Sequence, residues 1–574
     1  MKTIYRYVSL AVGVLFSGAL AAQNLDPTVE ISRAYEGKIS EAQKPAREMT
    51  VPDSVSTFRL DFDYSVFDKP YKGAYDFNPY LMDMRPSSVA YDPQTFYLKA
   101  GAGYRLQPEL EMVWSPALSK GVDMNVYASH KSYVGDYRNI ALADAGTGNM
   151  VLDESDRTGR FNGYDLMSKA GFDMNFGWTG GQFGFNADYY GLAGKTHWGL
   201  RNYDAVDIDF RLASNKNEGR NFIYDLNAGY RYGADKMHYS SFARLNEHLG
   251  VVNLSLGPVF KTGHKLLFDI AADMAAYNVP DDVVVGRFNF TPHYALKKGR
   301  WSVDVGVRLD MMFASVHPVS LATEGVHQYV YPDVSIDFAA IRDALDIYLD
   351  VKGGTRMNTY SSIIESNHHF SMAYCCPGMC FFDADVENVR ASFGFRGRIS
   401  SNFSYDLRGG LASYANALLP AVCVVGGAPI AGIAYAGYQT AFAALDWRWD
   451  AESFKFDGTV NCTNSWGYER ADWAFAPASL TGTAAFEYNW MRRIFVGVDC
   501  DFSTCRKMVA VPVEGVSSLT IPGYADLSVS FEYARSKKLS FWLRGGNLCC
   551  MTIQRTPLYA EGGVSVIAGI CLNL

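Results

Sequence analysis

The sequence predicts an all-β protein, a transmembrane antiparallel β-barrel of about 22 strands with short periplasmic turns and long extracellular loops. Three observations carry this. Apolar residues recur at every second position from Phe96 to Leu574, short polar turns alternate with long irregular connections, and the chain opens with an export signal.

The period of two is plainest in residues 301–311, where Trp301, Val303, Val305, Val307, Leu309 and Met311 share one face and Ser302, Asp304, Arg308 and Asp310 the other. Leu345, Ile347, Leu349 and Val351 stand likewise against Asp346, Asp350 and Lys352, and Leu527, Val529, Phe531 and Tyr533 against Asp526, Ser528, Ser530 and Glu532. A helix would scramble those faces. The content of 37 Tyr, 35 Phe and 10 Trp with 20% charged residues suits half-buried strands or a membrane-interface belt. A net charge of -8 without a long basic run excludes a nucleic-acid partner.

Residues 1–22 read as a signal peptide, with Lys2 and Arg6, an apolar stretch from Val8 and Ala19-Leu20-Ala21 as the cleavage site. Residues 23–93 carry Pro27, Pro45, Pro52, Pro70, Pro79, Pro86 and Pro93 and read as an extended periplasmic arm, with one strand at most near Phe58 to Val66. Residues 94–574 form the barrel. Short turns are expected at Thr179-Gly180-Gly181, 261–265, 297–300, Arg342-Asp343, 400–402, 450–453, Arg492-Arg493 and 536–538, and long connections at 135–161, 361–385, 416–435, 466–478 and 507–523. An even strand count requires 220–241 to be one long strand that projects past the membrane. In hydrocarbon an unpaired backbone group costs several kcal/mol, so such a sheet must close. The last segment, 562–574, would then pair with the strand near Phe96 and turn Val564, Val566, Ala568, Ile570, Leu572 and Leu574 to lipid.

The strand number, Gly545-Gly546-Asn547-Leu548 at the end of the penultimate strand, and the alternating last strand resemble the barrel half of TonB-dependent receptors, in particular receptor-like barrels of Bacteroidales bacteria. The likeness covers residues 94–574. Cys549-Cys550 stand where the family commonly has Phe-Asn, and Leu574 replaces a terminal aromatic residue. The family's plug domain exceeds a hundred residues, and only about 70 lie between the expected signal and Phe96, too few for such a fold, so the barrel is expected to be plug-less. Pro27-Thr28-Val29-Glu30-Ile31 resembles a TonB-contacting box. The resemblance implies a channel or transporter for a small solute in the outer membrane of a Gram-negative cell. The alternative is a non-transporting structural or assembly barrel that holds lipoproteins or other partners through residues 24–50 or 416–435.

The candidate lumen residues are Asp304, Arg308, Asp310, Arg390, Arg396, Arg398 and Arg408, since a lipid-facing charge near the midplane costs a few kcal/mol. The arginines at 390, 396, 398 and 408 would form a basic stripe that selects anionic solutes. Cys375, Cys376 and Cys380 crowd one outer loop after His368-His369. A disulfide is the favoured reading in an oxidising compartment, and the spacing is not that of a standard zinc pair. The apolar segment 416–435 is expected to be a loop that folds into the lumen or docks a surface partner. The sequence contains no H-E-x-x-H, G-x-S-x-G, P-loop or dinucleotide motif, so no enzyme, no cofactor and no metal are expected.

Overall fold

The computed structural model describes residues 95–574 except 105, 117, 119–120, 139, 142–150, 153–159, 197–198, 216–220, 237–243, 261–262, 279–282, 316–324, 343, 371–382, 426–427 and 511–518. The expected signal peptide, the arm with its segment 24–50 and the loop cysteines Cys375, Cys376 and Cys380 lie outside the described residues.

The strands are β1 (Phe96–Gly103), β2 (Glu109–Trp114), β3 (Val122–Arg138), β4 (Arg160–Trp178), β5 (Gly181–Thr196), β6 (Gly199–Ser214), β7 (Phe222–Asp235), β8 (Leu245–Pro258), β9 (His264–Tyr277), β10 (Val283–Lys298) and β11 (Trp301–Ala314). They continue as β12 (Gly325–Ile341), β13 (Leu345–Met357), β14 (Ala384–Ser400), β15 (Phe403–Val425), β16 (Ala428–Asp450), β17 (Phe454–Glu469), β18 (Leu480–Trp490), β19 (Ile494–Ser503), β20 (Tyr524–Ala534), β21 (Leu539–Gly546) and β22 (Ser565–Asn573). All belong to one 22-stranded sheet in which each pairs antiparallel with its sequence neighbours. The sheet closes where β1 meets β22, in register from Tyr97 opposite Asn573 to Gly103 opposite Ile567. The sheet is thus closed around its circumference, as hydrocarbon demands.

The two faces follow the alternation. Val305, Val307, Leu309, Met311 and Phe313 are exposed on the outside of β11, whereas Met312 and Asp310 between them are buried within. On β22, Val566 and Ile570 point out, and Ile567 and Cys571 point in. The rim of short turns carries Trp114, Trp178, Trp301, Trp449 and Trp490, each between 44 and 53% exposed at a strand end. That row is the aromatic belt of a membrane interface.

Short connections at 179–180, 299–300, 401–402, 451–453 and 491–493 share this rim, and the long ones at 358–383, 470–479, 504–523 and 547–564 leave from the other. One expectation is met and another needs correction. The stretch 220–241 holds a single strand, Phe222–Asp235, of 14 residues, as long as its partner β8. The stretch 416–435 is no irregular loop but the upper part of the β15–β16 hairpin, whose strands run to 23 residues each. Both of its faces are covered, which is why its sequence lacks the alternation of the wall. Leu418, Ile433 and Tyr435 pack toward the lumen, while Leu419, Ala421, Ala434 and Ala436 pack against Ala471 and Ala474.

At the seam the Trp542 ring lies inside the wall over two glycines. A Cβ at Gly569 would stand 2.0 Å from the Ala100 carbonyl oxygen and 2.7 Å from the indole, and one at Gly101 would stand 2.4 Å from it. We expect Gly569→Val to cost about 1–3 kcal/mol through overpacking. Gly250→Ala, where nothing lies within 4 Å, should stay within about 0.5 kcal/mol of the parent. Heat-dependent electrophoretic mobility checks both, with a lower transition temperature expected only for the seam variant.

Candidate functional site

The site begins where β13 parts from β12 while it stays paired with β14 as far as Met357 opposite Ala384. Its pairing with β12 ends with Asp333 opposite Lys352, and its register with β14 shifts between Lys352 and Gly354. Gly353-Gly354 makes the departure sterically feasible. A Cβ at Gly354 would fall 2.6 Å from the Arg308 guanidinium, and one at Gly353 would fall 2.8 Å from the Tyr331 ring. The chain beyond is fastened at Thr355. Its backbone N–H donates to Asp310 Oδ2 at 2.7 Å and its hydroxyl at 2.6 Å, while its carbonyl accepts from Arg287 Nη1 at 2.7 Å and Arg308 Nη2 at 3.1 Å. Asp310 is completely buried, and Arg308 Nε donates to it at 3.0 Å. The carboxylate is affordable there because every bond made to it is charge-assisted or from a buried donor.

The chain then forms a short helix, α1 (Tyr360–Ser366), opened by a reciprocal cap between Thr359 and Ser362. Tyr360, Ile363, Ile364 and the following Phe370 are no more than 1% exposed. They pack with inward side chains of six wall strands, including Tyr190 and Leu192 of β5, Tyr203 of β6, Leu245 of β8, Tyr277 of β9 and Val283 of β10. The segment therefore lies inside the barrel. Polar contacts hold it from the same side. The Tyr360 hydroxyl donates to Asp235, the Tyr360 N–H to Tyr277 Oη at 3.2 Å, and the Ser361 N–H to Glu247 Oε2 at 3.1 Å. Arg231 reaches Glu365 at 2.7 Å while it also binds Asp207 at 3.0 Å, and Arg201 Nη1 donates to the His368 carbonyl at 2.6 Å.

His369 stacks on Tyr559 with ring centres 3.9 Å apart, which ties the lumen segment to the connection before β22. The free upper edge of β15 bonds to 473–475, with Val422 N to Trp473 O at 3.2 Å and Phe475 N to Pro420 O at 2.9 Å. Met508 and Ala510 bridge in turn to Phe475 and Asp472, and Val422, Phe475, Met508, Leu519, Ile521 and Leu558 form one apolar cluster.

Among the candidate residues drawn from the sequence, Arg308 and Asp310 thus anchor the lumen segment. Asp304 meets His293 Nδ1 at 2.8 Å. Arg390 bonds Glu387 at 2.6 Å, Arg396 pairs with Asp337, and Arg408 lies 2.7 Å from Asp446. Arg396 and Arg398 border a cleft of about 600 Å³ near the short-turn rim together with Asp346, Asp406, Asp446 and Arg448. The cleft presents both signs of charge. Sequence reasoning passed over α1 and its holders Arg201, Arg231, Asp235 and Glu247; the available signal was Gly353-Gly354 at the point where the alternation of β13 stops.

No protein-family model and no curated protein sequence matches the chain. Solved structures do resemble it. The FrpB iron transporter from Neisseria meningitidis (F3-3 variant) superposes with a TM-score of 0.61 at 10% identity, over 84% of this chain and 82% of that one. The siderophore receptor PiuA from Acinetobacter baumannii gives 0.57 at 10% identity over 85% and 82%, and the copper transporter OprC 0.58 at 9% over 83% and 80%. At such identities the likeness is one of fold.

Two outcomes follow from the anchors. Asp310→Ala removes one partner of a buried charged network and should cost about 3–5 kcal/mol. Limited proteolysis should then cut within 355–370, where the parent resists. Burial pushes the His369 imidazole down to about 4, so the docked segment favours neutral His369. That contribution is complete above the ordinary value near 6.5 and is lost as pH falls through 4, on the order of 3 kcal/mol at most. Protection of 355–370 measured between pH 7 and 4 should fall more steeply in the parent than in His369→Phe.

Proposed function

We propose that the chain is an outer-membrane transporter of a small solute in a Gram-negative cell, a conduit and not an enzyme, whose lumen is blocked by its own residues 358–370 until that segment is displaced. The observation that carries the reading is the way α1 is held. A closed 22-stranded wall encloses an interior far wider than a solute, and among the described residues the obstruction is a covalently tethered segment gripped by ion pairs and hydrogen bonds. The fold shared with an iron transporter, a siderophore receptor and a copper transporter supports transport, as do the tryptophan belt and the expected export signal. The TonB-dependent receptor-like character and the origin in Bacteroidales are part of this proposal and rest on the sequence resemblance, and the expected absence of a folded plug is part of it as a departure from that family. Arg390, Arg396 and Arg408 each face a carboxylate, so the stripe would tune ion preference mildly.

A second reading is a silent barrel that holds lipoproteins or other partners. The close packing of α1, with Tyr360, Ile364 and Phe370 fully buried, favours it. The apolar part of 416–435 is covered by the protein itself, which leaves residues 24–50 as the partner-binding stretch.

Planar-bilayer recording separates the two. Glu365→Lys sets a cation beside Arg231 and should release the segment. We expect near-silent parent channels and sustained currents from the variant. A variant whose segment becomes protease-sensitive but which passes no current would refute the transport reading.

A further inference from the structure

We propose that the wall gripping residues 358–370 is itself the solute-binding surface, that the segment occupies it in place of cargo, and that the cargo is a short peptide with aromatic or branched aliphatic side chains. This rests on the transport reading above and names its substrate class.

The geometry is that of main-chain recognition. Glu247 takes the Ser361 N–H at 3.1 Å, Tyr277 the Tyr360 N–H at 3.2 Å, and Arg201 donates to the His368 carbonyl at 2.6 Å. These contacts bind groups that every peptide carries, so they do not depend on the side chains of this segment. The wall meets two successive N–H groups with a hydroxyl and a carboxylate, and a carbonyl further on with a guanidinium. A solute of one charge sign would gain less, because Arg231 already lies beside Asp207 and Arg201 within 3.7 Å of Asp235. Apolar specificity comes from an aromatic recess. The Tyr203 ring stands 6.2 Å from Tyr360, which stands 6.3 Å from Phe370, both edge-on.

The test uses the full chain in detergent and an end-blocked fluorescent peptide with the sequence of Thr355 to Phe370, read by anisotropy. Ile363→Asp with Ile364→Asp expels the native segment and leaves the wall intact. We expect this variant to bind the peptide at least tenfold more tightly than the parent. Methylating the peptide nitrogens equivalent to Tyr360 and Ser361 should weaken binding at least tenfold, and so should Glu247→Gln in the same background. If the double variant does not give a heat-modifiable barrel, Glu365→Lys serves as the opened form. An opened barrel that conducts ions yet ignores the peptide overturns this proposal and leaves transport standing. Binding that survives N-methylation also overturns it, since recognition would not run through the main chain. Peptide binding without any current supports the site and removes the transport reading.

Discussion

Every feature of this protein answers to the pairing of β1 with β22. A sheet that presents one apolar face to lipid must satisfy each backbone group within itself, and only a closed cylinder leaves no orphan row. The seam is therefore built as carefully as the interior. Glycines at 101 and 569 let the two strands pass under the Trp542 ring, and the Trp542 indole N–H reaches the Ile570 carbonyl at 3.3 Å. Lys99 lies 4.8 Å over the same ring, so the inner side of the seam is sealed by one aromatic plate.

Closure at this strand number creates the second problem. With strands near 4.8 Å apart and tilted by about 40°, 22 of them enclose a cylinder roughly 40 Å across. Side chains on the wall cannot fill that width, and an open bore would pass most metabolites. The chain fills part of it with residues 358–370, which follow β13 and lay α1 against β5 to β10. Residues 420–422, 473–475 and 508–510 add a bonded patch on the long-loop side. His369 stacked on Tyr559 joins the two layers, so the segment cannot leave without disturbing the connection that leads into the last strand.

Much of the wall was legible because lipid and water impose a strict period of two. The faces of β11, β13 and β20 could be written down from residues 301–311, 345–352 and 526–533, and the short turns marked one rim. The periodic signal fails where a strand is covered on both sides. In 416–435 one face meets the lumen cluster and the other meets Ala471 and Ala474, so small apolar residues occur at consecutive positions and resemble a loop. The lumen residues show a different limit. Alternation places Arg308 and Asp310 inside, but it carries no information on what they meet. Their partner Thr355 lies two strands away on β13, at a height where that strand no longer pairs with β12.

The energetics of the segment decide how such a barrel behaves. Fixing the backbone of the segment costs conformational entropy, and the buried side chains Tyr360, Ile363, Ile364 and Phe370 return only part of it. The balance then falls to the polar contacts, whose net worth is modest because desolvation of Asp310, Glu247 and Arg231 offsets most of their attraction. An obstruction held by a small difference between large terms is fixed in position at rest yet open to a competitor that supplies the same bonds. A purely apolar plug would lack that property, since nothing dissolved in water could replace its contacts at equal cost. The charged lining is thus the feature that makes a filled barrel compatible with passage.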